Sequence, residues 1–394
     1  MFIFHKREVI LIQMNSLMNS KVDFDQLNTS KSLTGSFVLI SVLISITTTA
    51  QSIGVGSSNL WNAIQAVILL IIILYDLIVY DLAIKYDYVI YLLLVLMVAG
   101  INRAAYMISL TMMLVLIMMV EMHGSKIDFN SVLKTYAITS IVFFGVVVLG
   151  YLILGFNSSK DISMWRIDRI INRSSLGFNQ PNVADMNWLA IVITMVGVFR
   201  KRLVQVVLVL FTLLIYYFTL SRTSTIILVF TLLCLILLGK KQDKFVPCFF
   251  RKLLALGPIV LFLVSLSFII THNYSDTLNS LLSGRLALYR NFYATYGIHF
   301  LSTPQLENAM FDNSYLQALL SKGIFFCSAL LVIYVKLALF SKRMTWKSCL
   351  LYLTIILLGI TETALQHFDL FFPLVMLIGK YDYYEDPDKT IPYK

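Results

Sequence analysis

The sequence predicts an all-α integral membrane protein, a polytopic bundle of about twelve transmembrane helices. Of its 394 residues, 59% are hydrophobic and only 13% are charged, against about 25% charged residues in an ordinary soluble domain. The mean hydropathy of +0.82 is too high for soluble domains, which bury one face of each element and expose the other to water. The composition therefore excludes a water-soluble fold and predicts lipid surroundings.

Uncharged apolar runs predict where the helices lie. A bilayer-crossing helix needs about 20 predominantly apolar residues. Runs near that length occur at 33–52, 60–80, 86–101, 104–120, 135–156, 183–199, 203–220, 223–239, 253–270, 323–340, 347–364 and 368–380. The expected organisation is a cytoplasmic segment 1–32, a single transmembrane domain 33–380 and a cytoplasmic tail 381–394.

The distribution of lysine and arginine predicts the orientation. Cytoplasmic loops carry an excess of these residues, and the clusters at 200–202 and 240–252 favour cytoplasmic N- and C-termini. Two long segments, about 157–182 and 271–322, then lie on the extracytoplasmic side. Candidate functional residues are expected in these two segments.

The basic residues on the two sides differ in chemistry. This topology places 22 of the 31 basic residues inside, 17 of them lysine, and 9 outside, 7 of them arginine. Orientation requires only a cation, whereas the planar guanidinium binds phosphate through two parallel hydrogen bonds. The arginine bias predicts an extracytoplasmic site for a phosphorylated, lipid-linked substrate. Contact with phospholipid headgroups is the alternative explanation.

Four arginines of the outer segments are individually informative. Arg166, Arg169 and Arg173 recur at i, i+3 and i+7, which predicts a helix lying on the outer membrane surface with its arginines on one face. They would grip a diphosphate or lie among lipid phosphates. Arg222 stands alone between two apolar runs, where a charge is costly unless it is paired or used; the alternative is snorkelling to the interface.

The second long segment combines arginine with aromatic residues. A helical spacing relates Arg285, Tyr289, Phe292, Tyr293 and Tyr296. Aromatic faces beside a basic residue suit sugar rings, which stack their C–H faces on aromatics. A packing helix explains the aromatics nearly as well. The histidines of this segment, His272 and His299, are each weak indications of a base.

Three short segments occur in order on the predicted outer side. They are Gly177-Phe178-Asn179-Gln180-Pro181-Asn182, Ser221-Arg222-Thr223-Ser224, and Asp312-Asn313-Ser314-Tyr315-Leu316 with Gly323 following. Together they resemble the bacterial oligosaccharide repeat-unit polymerases of the Wzy type and their relatives, the O-antigen ligases, over about residues 170–330. The ligases have His-Asn, nine residues and Gly in the third segment. Asp312 replaces that histidine here, which favours the polymerase branch.

The resemblance implies a fold and an activity. The fold would be the C-type glycosyltransferase frame. The activity would be a polymerase joining undecaprenyl-diphosphate-linked oligosaccharide repeat units into capsular, exopolysaccharide or O-antigen polymer outside the bacterial plasma membrane. Such an enzyme would be an inverting, metal-independent glycosyltransferase without a cofactor. Its partners would be membrane lipid, a flippase and a chain-length regulator, but no nucleic acid.

The resemblance and the arginine bias together imply functions for individual residues. Asp312 is the expected general base, with helix capping as the alternative, and Arg222 and Arg285 are expected to stabilise the departing diphosphate. Substrate binding is expected from Arg166, Arg169, Arg173, Asn182, Arg290, Tyr289, Tyr293, His299, Asn313 and Tyr315.

Other functions are compatible with the same sequence. A glycan ligase would use the same chemistry with a different acceptor. A polysaccharide exporter or flippase would need charged residues lining the spans, which offer few, Asp76 and Lys336 among them. No carboxylate pair or cysteine spacing indicates a metal site, and Glu362, His367 and Asp369 form a minor alternative cluster.

Overall fold

The computed structural model describes residues 33–57, 60–61, 63–68, 70–71, 89–90, 93–94, 97, 107–166, 169–270, 279, 284–307, 309–341 and 343–382. The predicted N-terminal segment 1–32, most of the predicted span 86–101 and most of the tail 381–394 lie outside these residues. The predicted span 60–80 is described only as far as residue 71, and it is helical there.

Helices make up most of the described chain. They are α1 (Leu33–Ser52), α2 (Met107–His123), α3 (Phe129–Leu154), α4 (Pro181–Val198), α5 (Arg202–Thr219), α6 (Arg222–Leu238), α7 (Cys248–Ile270), α8 (Arg285–Tyr296), α9 (Ser314–Leu316), α10 (Ile324–Phe340), α11 (Trp346–Leu358) and α12 (Phe368–Asp382). A π-helical turn, Gln317–Ser321, continues α9. The all-α fold class is confirmed.

Six helices of the described chain are long and apolar enough to cross a bilayer, namely α1, α3, α4, α5, α6 and α7. Many of their large apolar side chains are exposed, for example Leu154 and Leu237 at 82% each. Such surfaces are unfavourable in water and favourable in lipid. The protein is therefore a helical membrane protein, as the composition predicted.

The core of the bundle surrounds α12. Leu374, Val375 and Met376 of this helix are completely buried, and α12 packs against α2, α3, α4 and α11. Helix α4 is also largely buried, whereas α3 and α7 expose most of their length. A helix that is apolar all round is expected either at such a centre or against lipid, so the sequence pattern alone does not separate the two.

The predicted surface helix over Arg166–Arg173 is wrong. The chain forms an antiparallel hairpin there, with β1 (Ile162–Arg166) pairing with β2 (Arg169–Arg173). Isoleucines such as Ile162, Ile170 and Ile171 favour strands because their branched side chains suit a pleated surface. In this register Arg166 faces Arg169 at the turn, while Arg173 lies at the far end opposite Ile162. The three arginines therefore do not share one helical face.

The two ends of the bundle differ. At one end, Lys347 donates to Asp243 at 2.9 Å and Lys380 donates to the Gly197 carbonyl at 2.9 Å. The lysine-rich 240–252 segment lies at this end. The other end gathers the hairpin, α8 and the loop between α11 and α12, and we call it the site end. The predicted span 347–364 stops at Leu358, so Glu362 lies in that loop.

Candidate active site

The hairpin is fixed at the site end by polar contacts at its base. The Tyr151 hydroxyl donates to Asp161 Oδ2 at 2.7 Å, and the Ser175 amide donates to Asp161 Oδ1 at 2.7 Å. The Ser174 amide donates to the Phe218 carbonyl at the end of α5. These contacts hold the end of β2 against α5 and so determine where Arg173 lies.

Arg173 points inward and is buried. Its Nε donates to the Thr219 carbonyl at 2.7 Å, and its Nη2 donates to Asn182 Oδ1 at 2.5 Å. A guanidinium is costly to bury unless its donors are satisfied, and these contacts provide that. Arg173 thus connects β2 with α5 and with the first turn of α4.

Asn182 joins the first two sequence segments to the loop before α12. Its Oδ1 accepts from Arg173 and, at 3.4 Å, from the Ser221 hydroxyl. Its Nδ2 donates to both carboxylate oxygens of Glu362, at 3.1 and 3.3 Å. Pro181 begins α4, where a missing N–H costs nothing and φ is already suitable. The amide side chain is therefore presented from a rigid first turn.

Glu362 is almost completely buried, with 8% of its surface exposed. Its pKa is raised from 4.5 to about 8, chiefly by burial and also by the nearby Asp312 charge, while the Arg285 charge acts to lower it. A carboxyl group removed from water favours its neutral form. Glu362 is therefore mostly protonated at neutral pH.

Asp312 and Arg285 form an ion pair beside Glu362. The distance from Arg285 Nε to Asp312 Oδ2 is 2.9 Å, and the two side chains remain 29% and 20% exposed. Burial raises the pKa of Asp312, and the Arg285 charge acts in the opposite direction. Arg285 Nη1 also lies 3.4 Å from the Thr361 carbonyl, to which it donates. The pair is partly open to solvent, unlike Glu362.

The third segment meets Glu362 through Ser314. The Ser314 hydroxyl donates to the Glu362 carbonyl at 2.7 Å, and the Ser314 amide donates to Gly359 at 2.7 Å. All three segments singled out in the sequence thus converge on the Asn182–Glu362 contact. We call Arg173, Asn182, Arg285, Asp312 and Glu362 the polar cluster.

Two predicted substrate-binding residues of the third segment have structural contacts instead. Asn313 caps α9 by accepting from the Leu316 amide at 2.9 Å, and its Nδ2 donates to Ser265 at 3.1 Å. Tyr315 is fully buried and donates to the Ile356 carbonyl at 2.9 Å. Helix capping thus belongs to Asn313, which leaves the Asp312 carboxylate directed at Arg285.

The aromatic residues of α8 face a small apolar core. Tyr289 is buried, stacks on Phe311 with 5.9 Å between ring centroids, and accepts from the Asp312 amide at 3.0 Å. Phe292, Tyr293 and Tyr296 pack against the same core. The helix itself was predicted, and its aromatic side is a packing surface that also holds the backbone of Asp312 in place.

The remaining predicted residues are not part of the polar cluster. Arg222 is exposed in the first turn of α6, next to the buried Ser221. Arg290 is half-buried on α8. His299 is exposed, and its Nε2 lies 2.6 Å from the Tyr296 carbonyl. The side chains of Arg166 and Arg169, and the whole of His272, lie outside the described part of the structure.

Sequence reasoning missed two buried carboxyl groups. Glu362 was treated as a minor, solvated residue between two spans, although it is the centre of the polar cluster. Asp185 was not singled out at all. It is 2% exposed, one turn after Asn182 on α4, and its Oδ1 has no hydrogen-bond partner among the described residues. A charge inside an apolar span is the signal that identifies such residues.

Comparisons with known proteins do not identify a relative of this chain. The chain matches no protein-family model, no curated protein and no solved structure. Within the described residues, no group of three or more metal-ligating side chains is positioned to hold an ion. The polar cluster itself is therefore the basis for a proposed function.

Proposed function

We propose that the protein is a polymerase that joins undecaprenyl-diphosphate-linked oligosaccharide repeat units on the extracytoplasmic face of a bacterial plasma membrane. The product is capsular polysaccharide, exopolysaccharide or O-antigen polymer. In this proposal the site end faces outwards and the lysine-rich end faces the cytoplasm. The observation that carries it is the convergence of three distant segments on Asn182 and Glu362, with Arg173 and Arg285 nearby.

Arg285 is suited to the donor diphosphate. It is partly exposed and already holds an anionic partner through Nε at 2.9 Å, and a guanidinium binds phosphate oxygens in the same forked geometry as a carboxylate. Arg173 adds a fixed positive charge behind Asn182, and Arg222 adds an exposed one in the first turn of α6. Departure of the diphosphate builds negative charge, which guanidinium groups held in place stabilise without reorganisation.

Asp312 is suited to act as the base once the donor is bound. A diphosphate competes with Asp312 for Arg285, so binding removes the counter-ion that keeps the Asp312 pKa down. The carboxylate then accepts the proton of an acceptor hydroxyl while the hydroxyl oxygen attacks the anomeric carbon. The bond from that carbon to the diphosphate breaks, and the diphosphate leaves with its electron pair. A single displacement inverts the anomeric configuration.

Glu362 supports this step by remaining neutral. A second carboxylate next to Asp312 would repel the diphosphate, but a protonated Glu362 adds no negative charge. Its contact with Asn182 also fixes the loop that contains Thr361, which accepts from Arg285. The cluster therefore retains a net positive charge for an anionic leaving group.

Deletion of the gene tests the proposal. Cells lacking the protein should accumulate single repeat units on the lipid carrier, and the polymer ladder should disappear. Polymer of normal length that is no longer attached to its acceptor would instead identify a ligase. Lipid-linked units confined to the cytoplasmic leaflet would identify a flippase.

A further inference from the structure

A polar cavity lies at the site end, on the loop between α11 and α12 and apart from the polar cluster. It encloses about 240 Å³ between the end of α1, the start of α2 and residues 363–369. This volume is slightly below the range of about 300–1,000 Å³ for drug-sized ligands, so it suits one small ring rather than an extended chain. None of the residues assigned to the polar cluster lines it.

The lining is unusual for so apolar a protein. Four of the ten glutamines of the chain face this cavity, namely Gln51, Gln65, Gln317 and Gln366. Hydroxyl groups are contributed by Thr48, Ser109 and Thr363. Amide side chains both donate and accept hydrogen bonds, as hydroxyl groups do. A ligand with several hydroxyl groups can therefore hydrogen-bond to those polar atoms of the lining that are not already bonded within the protein.

Three residues of the lining are ionisable, His367, Asp369 and Lys322. His367 Nδ1 lies 3.4 Å from Asp369 Oδ1, and Lys322 donates to Gln366 Oε1. Burial lowers the pKa of Lys322 to about 7, so its charge is partial at neutral pH. An anion would find no paired guanidinium groups here. The lining thus favours a neutral ligand over a phosphate.

The cavity is connected mechanically to the polar cluster. Gln366 Nε2 donates to Gln317 Oε1 at 3.0 Å and to the Ser314 carbonyl at 3.4 Å. Ser314 in turn donates to the Glu362 carbonyl. One loop therefore contributes Glu362 to the polar cluster and Thr363, Gln366 and His367 to the cavity. A group bound in the cavity lies within a few residues of the proposed reaction centre.

We infer that this cavity is a binding site for one neutral sugar residue, belonging to the acceptor glycan of the proposed reaction. The identification of the acceptor rests on the proposed function, whereas binding of a neutral sugar does not. The arrangement separates an arginine-containing site for the charged donor from an amide-lined site for the uncharged acceptor. The shared loop sets the distance between them.

Sugar binding is tested directly with free monosaccharides. Purified protein in lipid nanodiscs is mixed with glucose, galactose, N-acetylglucosamine or N-acetylgalactosamine, and saturation-transfer NMR measures contact. The wild-type protein should give a signal with at least one sugar. Thr363→Val and Gln51→Leu remove polar groups from opposite walls at nearly constant size, and each should weaken binding by about 2- to 13-fold, the value of one neutral hydrogen bond.

Asp312→Asn is the matched control, because it removes the proposed base, and Asp312 contacts Arg285 and Tyr289 rather than the cavity lining. It should lower glycan transfer about 10²- to 10⁴-fold and leave monosaccharide binding unchanged. Absence of binding to all four sugars, or equal binding by the wild-type protein and both cavity variants, overturns the inference. Binding that depends on Thr363 and Gln51 in a protein without transferase activity would retain the sugar site and reject the proposed function. A melting temperature within about 1 °C of the wild-type value, equivalent to about 1 kcal/mol for a chain of this size, excludes misfolding of a variant.

Discussion

Arg285 Nε lies 2.9 Å from Asp312 Oδ2. Arg285 is the first residue of α8, and Asp312 lies just before α9. Tyr289, one turn after Arg285, accepts from the Asp312 amide at 3.0 Å. The helix thus holds both the carboxylate and the backbone of Asp312. This double attachment makes the ion pair a fixed element of the site end rather than a chance surface contact, which would be worth about 0–1 kcal/mol.

Replacing Asp312 by Asn tests its assignment as the base. The change removes the proton acceptor and nearly preserves shape, so turnover should fall about 10²- to 10⁴-fold. Donor affinity should not fall, because the variant no longer has a carboxylate that competes with the diphosphate for Arg285. Initial rates of polymer formation in reconstituted vesicles, measured against donor concentration, separate the two effects. Asp128→Asn is the control, since Asp128 caps α3 at the opposite end and Asn caps equally well. Full activity of Asp312→Asn would reject the assignment.

Replacing Arg285 by Lys tests whether the site binds a diphosphate. The variant keeps the charge and loses the forked donors, and one charge-assisted hydrogen bond is worth about 1.5–3 kcal/mol, or roughly 10- to 150-fold. Arg222→Lys should have a similar effect if Arg222 contacts the donor. Arg200→Lys is the control at the lysine-rich end, where Arg200 is 62% exposed. Polymer formed per inserted protein is the measurement, and equal tolerance at all three positions would contradict a diphosphate site.

Donor binding should weaken as the pH rises through about 8. Below that pH, Glu362 is protonated and neutral, because its pKa is raised from 4.5 to about 8 by burial and by the Asp312 charge. Above it, Glu362 ionises and repels the diphosphate. Glu362→Gln keeps an uncharged side chain at every pH and should remove this dependence. Binding of lipid-diphosphate to the two proteins between pH 6.5 and 9.5 is the measurement, and identical profiles would exclude Glu362 as the titrating group.

Gly323 should not tolerate a side chain. Its φ of +91° is unfavourable for other residues, and a Cβ would lie 2.4 Å from the Leu301 carbonyl oxygen. Gly297→Ala is the matched control, since Gly297 also has positive φ (+72°) but has no atom within 4 Å of a Cβ position. Backbone strain alone costs about 1–3 kcal/mol, so Gly323→Ala should lower the melting temperature clearly more than Gly297→Ala. Similar losses would mean that the close approach does not matter.

Tyr289→Phe tests the packing function of α8. It removes the acceptor of the Asp312 amide and should cost about 0.5–1.5 kcal/mol of stability, with a moderate loss of activity as Asp312 becomes less fixed. Tyr293→Phe on the same helix should change stability little, because Tyr293 is only half-buried. Melting temperatures and transfer rates of both variants are the measurements. The reverse order of effects would favour sugar stacking on Tyr293.

The membrane helices were predictable because hydropathy acts locally. A run of apolar residues longer than a bilayer is thick specifies a helix whatever its neighbours are, and α1, α4, α5 and α6 begin and end within a few residues of their predicted bounds. The helix containing Arg285 was predicted for the same reason, since its aromatic spacing is a local pattern. The three short segments were also identified from the sequence, and residues of each lie close together.

The hairpin, by contrast, required tertiary information. Arginines at i, i+3 and i+7 predicted a helix, but the isoleucines between them favour strands, and the contacts of Asp161 and Ser174 with neighbouring elements secure the hairpin. Periodicity over eight residues cannot decide between the two structures when polar anchoring contributes as much as the apolar face.

The sequence by itself therefore determined that this chain is a helical membrane protein with arginine-rich segments between its helices. Only the tertiary structure decided which of those arginines are buried. It also decided that the charge of Asp312 lies close enough to raise the pKa of Glu362. The physical reason is that pairing and burial depend on residues far apart in the chain. Arg173 and Glu362 meet through Asn182, nearly two hundred positions apart, and no local pattern encodes a contact at that separation.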